Sequence, residues 1–432
     1  MLPYTGDFNT SIKEHARNIN VVICYKNEDN YVFLQKDNIQ SLTYNAKTNK
    51  GLGGIVKKVC DIKAIYNDYT KNLTKGTAIN LYYKCGTGNC KKALLYINQV
   101  KVNKAKTVIT IEALDKFSYD QTNKVMPIMK NTTLVEYEKA IFTALGYNYL
   151  IDSNVVNPNL SLGYPKSGKA GETLSAIAEA NNALIDFEDI IIRYLTVPFE
   201  LPATFQIPTT EDFISPGLEV RLHVKKFVFD DPVDEIDEDT DIIDFELDDD
   251  NSNQYNDVKV NLFFPSSGEQ KSLGTIKATI PGSVTNYNVG TIDFGDTVIP
   301  QMCVFDDMVD IADYTIGSDS FSLKVNNSNV LAKHINAEMY GLDIAETTLK
   351  DTDTDSNIKQ ISNMYIQSAS VYNTEIFKHP NCTIKTFGNP LYEVGDTVRI
   401  GKYDVLILEE NIVFNGGLKS TLKGVARLNE TN

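Results

Sequence analysis

The last forty residues, Asn389 to Leu428, restrict the possible folds more than any other stretch. Apolar residues alternate with polar ones through Val394, Val398 and Ile400, and again through Val405, Ile407, Ile412 and Phe414. A repeat of two is what a half-buried strand requires, because successive side chains point to opposite faces. Gly395-Asp396 and Gly416-Gly417 fall where the alternation breaks and read as the turns between strands. Pro390 keeps the residue before it out of a helix. The stretch is expected to be a small antiparallel β-unit with Gly395, Asp396, Gly416 and Gly417 as its shape-determining turns. Gly417 is expected to need positive φ, so that valine there would damage folding.

The first section, to about Asp120, reads the same way. Ile19 to Tyr25, Tyr31 to Gln35, Ile55 to Ile65, Ala78 to Lys84, Leu94 to Val102 and Thr107 to Leu114 are short runs of β-branched, aromatic and leucine side chains separated by Asn, Asp, Gly and Lys. Six closely spaced strands suggest a small barrel or sandwich.

The pattern then turns helical. Thr133 with Glu136 three residues on forms a capping box, and Leu134, Tyr137, Ala140, Ile141, Ala144 and Leu145 follow at helical spacing to Gly146. A second helix starts near Gly171-Glu172-Thr173. It is followed by a strand-like run from Leu184 to Ile192 with its turn expected at Glu188-Asp189. Pro198, Pro202, Pro208 and Pro216 mark a linker. Strands resume at Leu218 to Phe229 and are expected again from Val258 to Ile280, Thr297 to Phe305, Ser320 to Val325 and Asn381 to Phe387. Ser328 to Met339 reads as a helix with Val330, Leu331, His334 and Ile335 near one face.

Between Asp230 and Asp250 stand thirteen acids and no base, which reads as a solvated acidic loop. Asp351, Asp353, Asp355 and Asn357 resemble the start of a calcium loop. Ser356 and Ser362 stand where its turn glycine and closing glutamate belong, so no metal is assigned.

A chain of 432 residues exceeds one ordinary core and implies two to four domains. Hydrophobic residues at 42% and aromatics at 10% are globular proportions. No apolar run is long enough to span a membrane, and no signal peptide is read at the N-terminus. With 57 acids against 41 bases, the formal charge is -16. That balance argues against sequence-specific nucleic-acid binding but not against a conduit for DNA, whose wall would then be acidic and non-adhesive. Six cysteines, at 24, 60, 85, 90, 303 and 382, form no framework. Cys85 and Cys90 have the spacing of half a zinc site, but with no second pair and with His15, His223, His334 and His379 scattered, free thiols are expected.

Nucleophile-elbow, zinc-protease, phosphate-loop and dinucleotide motifs are all absent from the sequence. Ser420 and Lys423 satisfy S-x-x-K inside an apparent strand, without companion motifs. Acid pairs such as Glu409-Glu410 and Glu188-Asp189 are no more than a chain with 57 acids produces. The reading is of a non-enzyme without cofactor or metal.

Several phrases together resemble the hub proteins of phage tails and related contractile injection systems. Asn389-Pro390-Leu391 with Glu393 to Val398, Phe414-Asn415-Gly416-Gly417-Leu418 and the basic strand around Lys423-Gly424 resemble the end of these chains. Val108 to Phe117 resembles the strand that ends their first barrel, and the order helix, long loop, helix, hairpin resembles their inserted domain. The likeness covers residues 94 to 120, 130 to 195 and 385 to 428.

It implies an α+β, mainly β chain of two small β-barrel-like domains with an inserted α/β domain. The divisions are expected at 1–122 (first barrel-like domain), 123–200 (inserted domain), 201–388 (second β-rich domain with acidic loop 230–251) and 389–432 (a unit completing a barrel). It further implies a structural virion protein, a homotrimer whose paired barrels form a pseudo-sixfold ring. That ring would close the distal end of the tail tube and form part of the channel for DNA ejection. Its partners would be a tube or distal tail protein above and a spike or fibre below, with indirect contact to the host envelope. It would sit in the virion tail after assembly in the bacterial cytoplasm. Two other classes were weighed: a receptor-binding or adhesin tail protein, which the 23 tyrosines permit, and a tail-associated cell-wall hydrolase, which the missing motifs oppose.

Overall fold

The computed structural model describes the chain except residues 3, 5, 15–17, 29, 49–52, 121–126, 128, 164, 166–169, 190–219, 249–254, 256, 266–270, 295–297, 306–309, 317–319, 349–357, 364, 367–374 and 430–432. It is mainly β with few helices. The proline-rich linker and the Asp351 to Asn357 segment lie outside the described residues.

The first section forms the strands Ile19–Asn27, Asn30–Leu34, Ile39–Lys47, Lys57–Ile65, Ala78–Cys85, Gly88–Val102 and Val108–Leu114. Ile39–Lys47 is a strand that the sequence reading passed over. Leu42, Tyr44 and Ala46 alternate inward, but Ser, Thr and Asn between them dilute the apolar signal. This strand is the join of the molecule. One edge pairs with Lys57–Ile65, and the other pairs with the closing hairpin Tyr403–Phe414 and Leu418–Leu428, from Phe414 opposite Leu42 to Glu409 opposite Lys47. The first section and the closing unit therefore share one thirteen-stranded sheet with Asn30–Leu34 at one end and Ile242–Leu247 at the other. Among the described strands its ends do not meet, so the expected pair of barrels is one open sheet within a single chain.

The closing hairpin has a core on each side. Leu406, Leu408, Ile412 and Phe414 join the cluster of the first section, whereas Val405 and Ile407 pack with Ile236, Ile384, Val398 and Leu422.

The inserted unit packs the helices Leu134–Leu145 and Ala170–Ala180 on a four-stranded sheet of Asn148–Ile151, Val220–Lys226, Ala183–Asp189 and Gly54–Ile55. Thr133 caps the first helix, accepting from the Glu136 amide at 3.3 Å, and Gly146 ends it in the left-handed conformation. The turn expected at Glu188-Asp189 is not one: both residues continue a strand, opposite Arg221 and Val220. A long-range partner satisfies their backbone, which local sequence does not reveal.

A smaller sandwich follows, built on Lys271–Ile280, Val284–Asp293, Val298–Phe305, Asp310–Ile316, Ser320–Asn327 and Lys333–Thr348. The helix expected over Ser328 to Met339 is instead a turn and the start of the long strand Lys333–Thr348. Ile335, Ala337 and Met339 point inward at every second position against Lys271–Ile280, and tertiary pairing overrides the helical spacing of Val330, Leu331 and His334.

The acidic segment is also corrected, from a loop to two strands. Asp234–Ile236 pairs in parallel with Thr397–Ile400, and Ile242–Leu247 pairs with Asn381–Thr386. The segment has enough apolar residues, Ile236, Ile242, Phe245 and Leu247, to seat one side on the closing unit while its acids face outward.

Candidate functional site

Every strand of the large sheet has a packed side, and its register shows what the other side presents. Outward positions line up across eight strands. One row runs Glu246, Thr383, Lys423, Glu409, Lys47, Lys57. The next runs Asp244, Lys385, Thr421, Asn411, Asn45, Val59. A third runs Lys419, Val413, Thr43, Asp61, Glu112, Gln99, and a fourth Ser41, Lys63, Thr110, Lys101. This face holds seven lysines, five acids and no arginine, interleaved with Thr, Ser and Asn.

Its charges are partly matched. Lys423 donates to Glu409 at 3.3 Å, Asn45 to Glu409 at 3.2 Å, Lys385 to Asp244 at 2.7 Å and Asn98 to Glu112 at 2.6 Å. Asp61 stands directly opposite Glu112, and burial together with that neighbouring charge pushes its carboxyl above the usual range. This face is thus close to charge balance, although the chain as a whole is acidic. Whole-chain counting hid this, because residues 1–122 carry 18 Lys and Arg against 10 acids while the acid excess lies further on.

A second cluster holds the face in place. Lys92 and Glu410 meet at 2.6 Å with both side chains buried, and the Lys92 ammonium also donates to the carbonyls of Pro390 at 3.0 Å and Tyr392 at 2.6 Å. Burial raises the Glu410 carboxyl to about 7 despite the lysine beside it. Lys58 reaches Asp186 of the inserted unit at 2.6 Å and donates to the Phe187 carbonyl at 3.2 Å, while Lys225 lies 3.8 Å from the same aspartate. Burial opposes charge on Glu393, but Lys225, Lys58, the amino terminus and Lys92 outweigh it and hold its carboxyl below the usual range. This cluster ties the first section, the inserted unit and the closing unit together. Its signal was present in the sequence: Lys58 shares strand parity with Cys60, Ile62 and Ala64, which a solvated lysine does not.

The expected turn positions divide in their geometry. Gly395 has φ 95°, and a Cβ there would stand 2.6 Å from Leu184 Cδ1. Asp396 accepts from the Glu393 amide at 2.9 Å and pairs with the amino terminus at 2.8 Å. In the closing hairpin the left-handed residue is Gly416 (φ 75°), while Gly417 has no positive φ and open space around it.

The other singled-out residues do not converge on a site. Cys85 and Cys90 are buried free thiols at a hairpin turn, with burial pushing the Cys90 thiol up to about 12. Ser420 is buried against Thr386 at 2.7 Å, and Lys423 is exposed on the opposite face, as an i, i+3 pair in a strand must be. Glu409 and Glu410 likewise face opposite ways. His223 contacts Asp152 at 2.8 Å, His334 contacts Thr279 at 3.0 Å, and His15 lies outside the described residues. Among the described residues no group of His, Cys, Asp and Glu is arranged to hold a metal ion.

No protein-family model and no curated protein sequence matches this chain. Solved structures do. The tail protein from Neisseria meningitidis MC58 aligns over 94% of this chain and 96% of its own, with TM-score 0.50 and 10% identity. The 43 kDa tail protein of prophage MuSo2 from Shewanella oneidensis covers 94% of this chain and 98% of its own, at TM-score 0.48 and 9% identity. A prophage tail protein from Listeria monocytogenes EGD-e covers 95% of both, at TM-score 0.46 and 12% identity. The fold is shared with the Neisseria tail protein over nearly the full length of both chains.

Proposed function

We propose that this protein is a structural component of a phage-type tail, the hub that closes the distal end of the tail tube and links it to a spike or fibre. The observation that carries this reading is the mainly polar face of the large sheet, eight strands wide and drawn from both ends of the chain. Such a face suits a channel wall. Lysine ammonium groups are compact and strongly hydrated, whereas arginine forks grip phosphate with two parallel hydrogen bonds. A wall of lysines, acids and hydroxyls near charge balance wets the channel without creating deep binding wells for DNA or protein passing through.

In this reading the chain is a homotrimer. Its first and closing units supply six wall segments to a ring with a hexameric tube above and a threefold spike or fibre below, and the barrel closure not made within one chain is made by the ring. The inserted unit and the smaller sandwich lie off the wall and offer surface to other tail proteins. The protein belongs to the virion tail and is assembled in the host cytoplasm; no catalytic role and no sequence-specific nucleic-acid binding are assigned. Light scattering at two concentrations, followed by electron microscopy, tests this: a trimer with a central channel is expected, and a strict monomer at high concentration counts against the ring.

A further inference from the structure

Charge is segregated along this chain in a way the polar wall does not use. Residues 271–292 and 320–337 contain no acid, although the chain has 57. They hold Lys271, Lys277, Lys324, Lys333 and His334. These residues form two neighbouring hairpin arms of the smaller sandwich, and where the arms meet, two aliphatic side chains stand in solvent: Val330 at 86% and Leu331 at 78% exposure. Acids are paired against these arms at Asp293, Asp310 and Asp313, opposite Ser320, Asn326 and Lys324, and at Glu338, opposite Thr275, whereas Lys333 beside the projection stands opposite Ile280.

The projection is built, not frayed. Asn327, buried at its base, donates to the carbonyls of Pro281 at 3.0 Å and Leu331 at 3.1 Å and accepts from the Asn329 amide at 3.2 Å. The Ser283 amide donates to the Asn329 carbonyl at 2.7 Å. Gly282 lets the two loops touch, since a Cβ there would fall 2.0 Å from the Val330 carbonyl oxygen. A fixed loop holding two bare aliphatics has already met its ordering cost before any partner arrives.

The opposite character lies on another part of the same chain. An open cleft of about 610 Å³ is lined by Phe245, Leu247 and Tyr403 together with Glu238 and Lys402. Phe245 and Tyr403 have ring centroids 5.7 Å apart. The cleft sits against the acidic segment, where Asp237, Glu238 and Asp239 are exposed and no base occurs between 230 and 250. Its volume accommodates two aliphatic side chains.

We infer that the Val330-Leu331 projection of one copy seats in the Phe245/Leu247/Tyr403 cleft of a second copy. The basic flank of the projection then faces the exposed acids Asp237, Glu238 and Asp239 beside the cleft. Knob and hole lie on different parts of one chain, so the contact is head-to-tail and joins copies around a ring. The occupant is a second copy because one chain carries both the basic flank beside the exposed aliphatics and the acidic segment beside the cleft. This deepens the hub reading and rests on it only for ring closure.

A photo-cross-linking benzophenone amino acid in place of Leu331 tests the contact in the full-length protein, with linked peptides mapped by mass spectrometry. Links to residues 237–248 or 402–403 of another copy are expected. Lys333→Glu is expected to weaken self-association by about tenfold, with Glu238→Lys restoring it in the pair. A wild-type trimer whose links fall elsewhere overturns this contact and leaves the hub reading standing. A monomer without links overturns the contact and removes the ring. Links that produce open chains instead of closed trimers support the contact and contradict the ring.

Discussion

Lys92 and Glu410 come from opposite ends of the chain and meet at 2.6 Å in a site that water does not reach. The lysine ammonium also binds two carbonyls of the turn before the closing unit, so one side chain fixes both the hairpin and its approach. Removing one partner leaves the other buried without its counter-charge. Lys92→Met is expected to cost about 3–5 kcal/mol, and Lys92→Met with Glu410→Leu to recover most of that loss. Urea unfolding of the two single variants and the double variant measures the coupling. Equal, additive losses would show that the pair does not act as a unit.

Glu138 gives a pH dependence of defined sign. It is fully buried in the inserted unit, and burial raises its carboxyl to about 8. Turned so that its amide donates to the Ala178 carbonyl at 2.9 Å, Asn181 presents its oxygen to Glu138, as a protonated carboxyl requires. A folded pKa above the unfolded value means that the native state holds the proton more tightly, so this group's stability is present below about 4.3 and is lost as pH rises towards 8. Glu138→Gln is expected to be near neutral at pH 5 and to raise the melting temperature relative to wild type at pH 8. A melting-temperature difference that does not change with pH would contradict a proton held at Glu138.

The closing hairpin separates two adjacent glycines. Gly416 sits at φ 75°, so a β-branched side chain is strained there even though the space is open. Gly416→Val is expected to cost about 1–3 kcal/mol, whereas Gly417→Val should stay within about 0.5 kcal/mol. Gly416→Asn, which tolerates the left-handed region, should recover part of the loss. Chemical denaturation of the three variants measures this, and equal damage from both valines would move the left-handed position.

Much of this architecture was legible in the residues. The alternation after Asn389, the N-cap at Thr133 and the strand runs of the first section all correspond to elements of the structure, because each is a local pattern with a local cause, although the Glu136 carboxylate pairs with Lys139 and not with the Thr133 amide as a full capping box would. What escaped was non-local. Ile39–Lys47 has its apolar alternation diluted by Gln40, Ser41, Asn45 and Lys47, and pairing along both edges fixes it as a strand. Glu188 and Asp189 extend a strand whose partner is remote in sequence, and the helical spacing of Val330 and Leu331 belongs to a projection whose neighbours form a sheet. The polar face of the large sheet was invisible for a related reason: its rows run across strands, so no stretch of sequence contains one.

Ile39–Lys47 also supports the most direct test of how the chain is joined. It is flanked on both edges, so nearly every backbone N–H and C=O along it belongs to a ladder with Lys57–Ile65 or Tyr403–Phe414. Thr43 faces outward between Asp61 and Val413, and replacing it changes no core side chain. Proline there removes a ladder donor in a central strand, at an expected cost of about 3 kcal/mol or more. Thr43→Val keeps the backbone and suits a strand, so it should leave stability within about 0.5 kcal/mol. Under limited proteolysis the Thr43→Pro chain should release a C-terminal fragment beginning before the closing hairpin, while Thr43→Val should resist like wild type. If Thr43→Pro resisted equally, the closing unit would be held by its own cores and the ionic cluster, and the continuous wall would not depend on this strand.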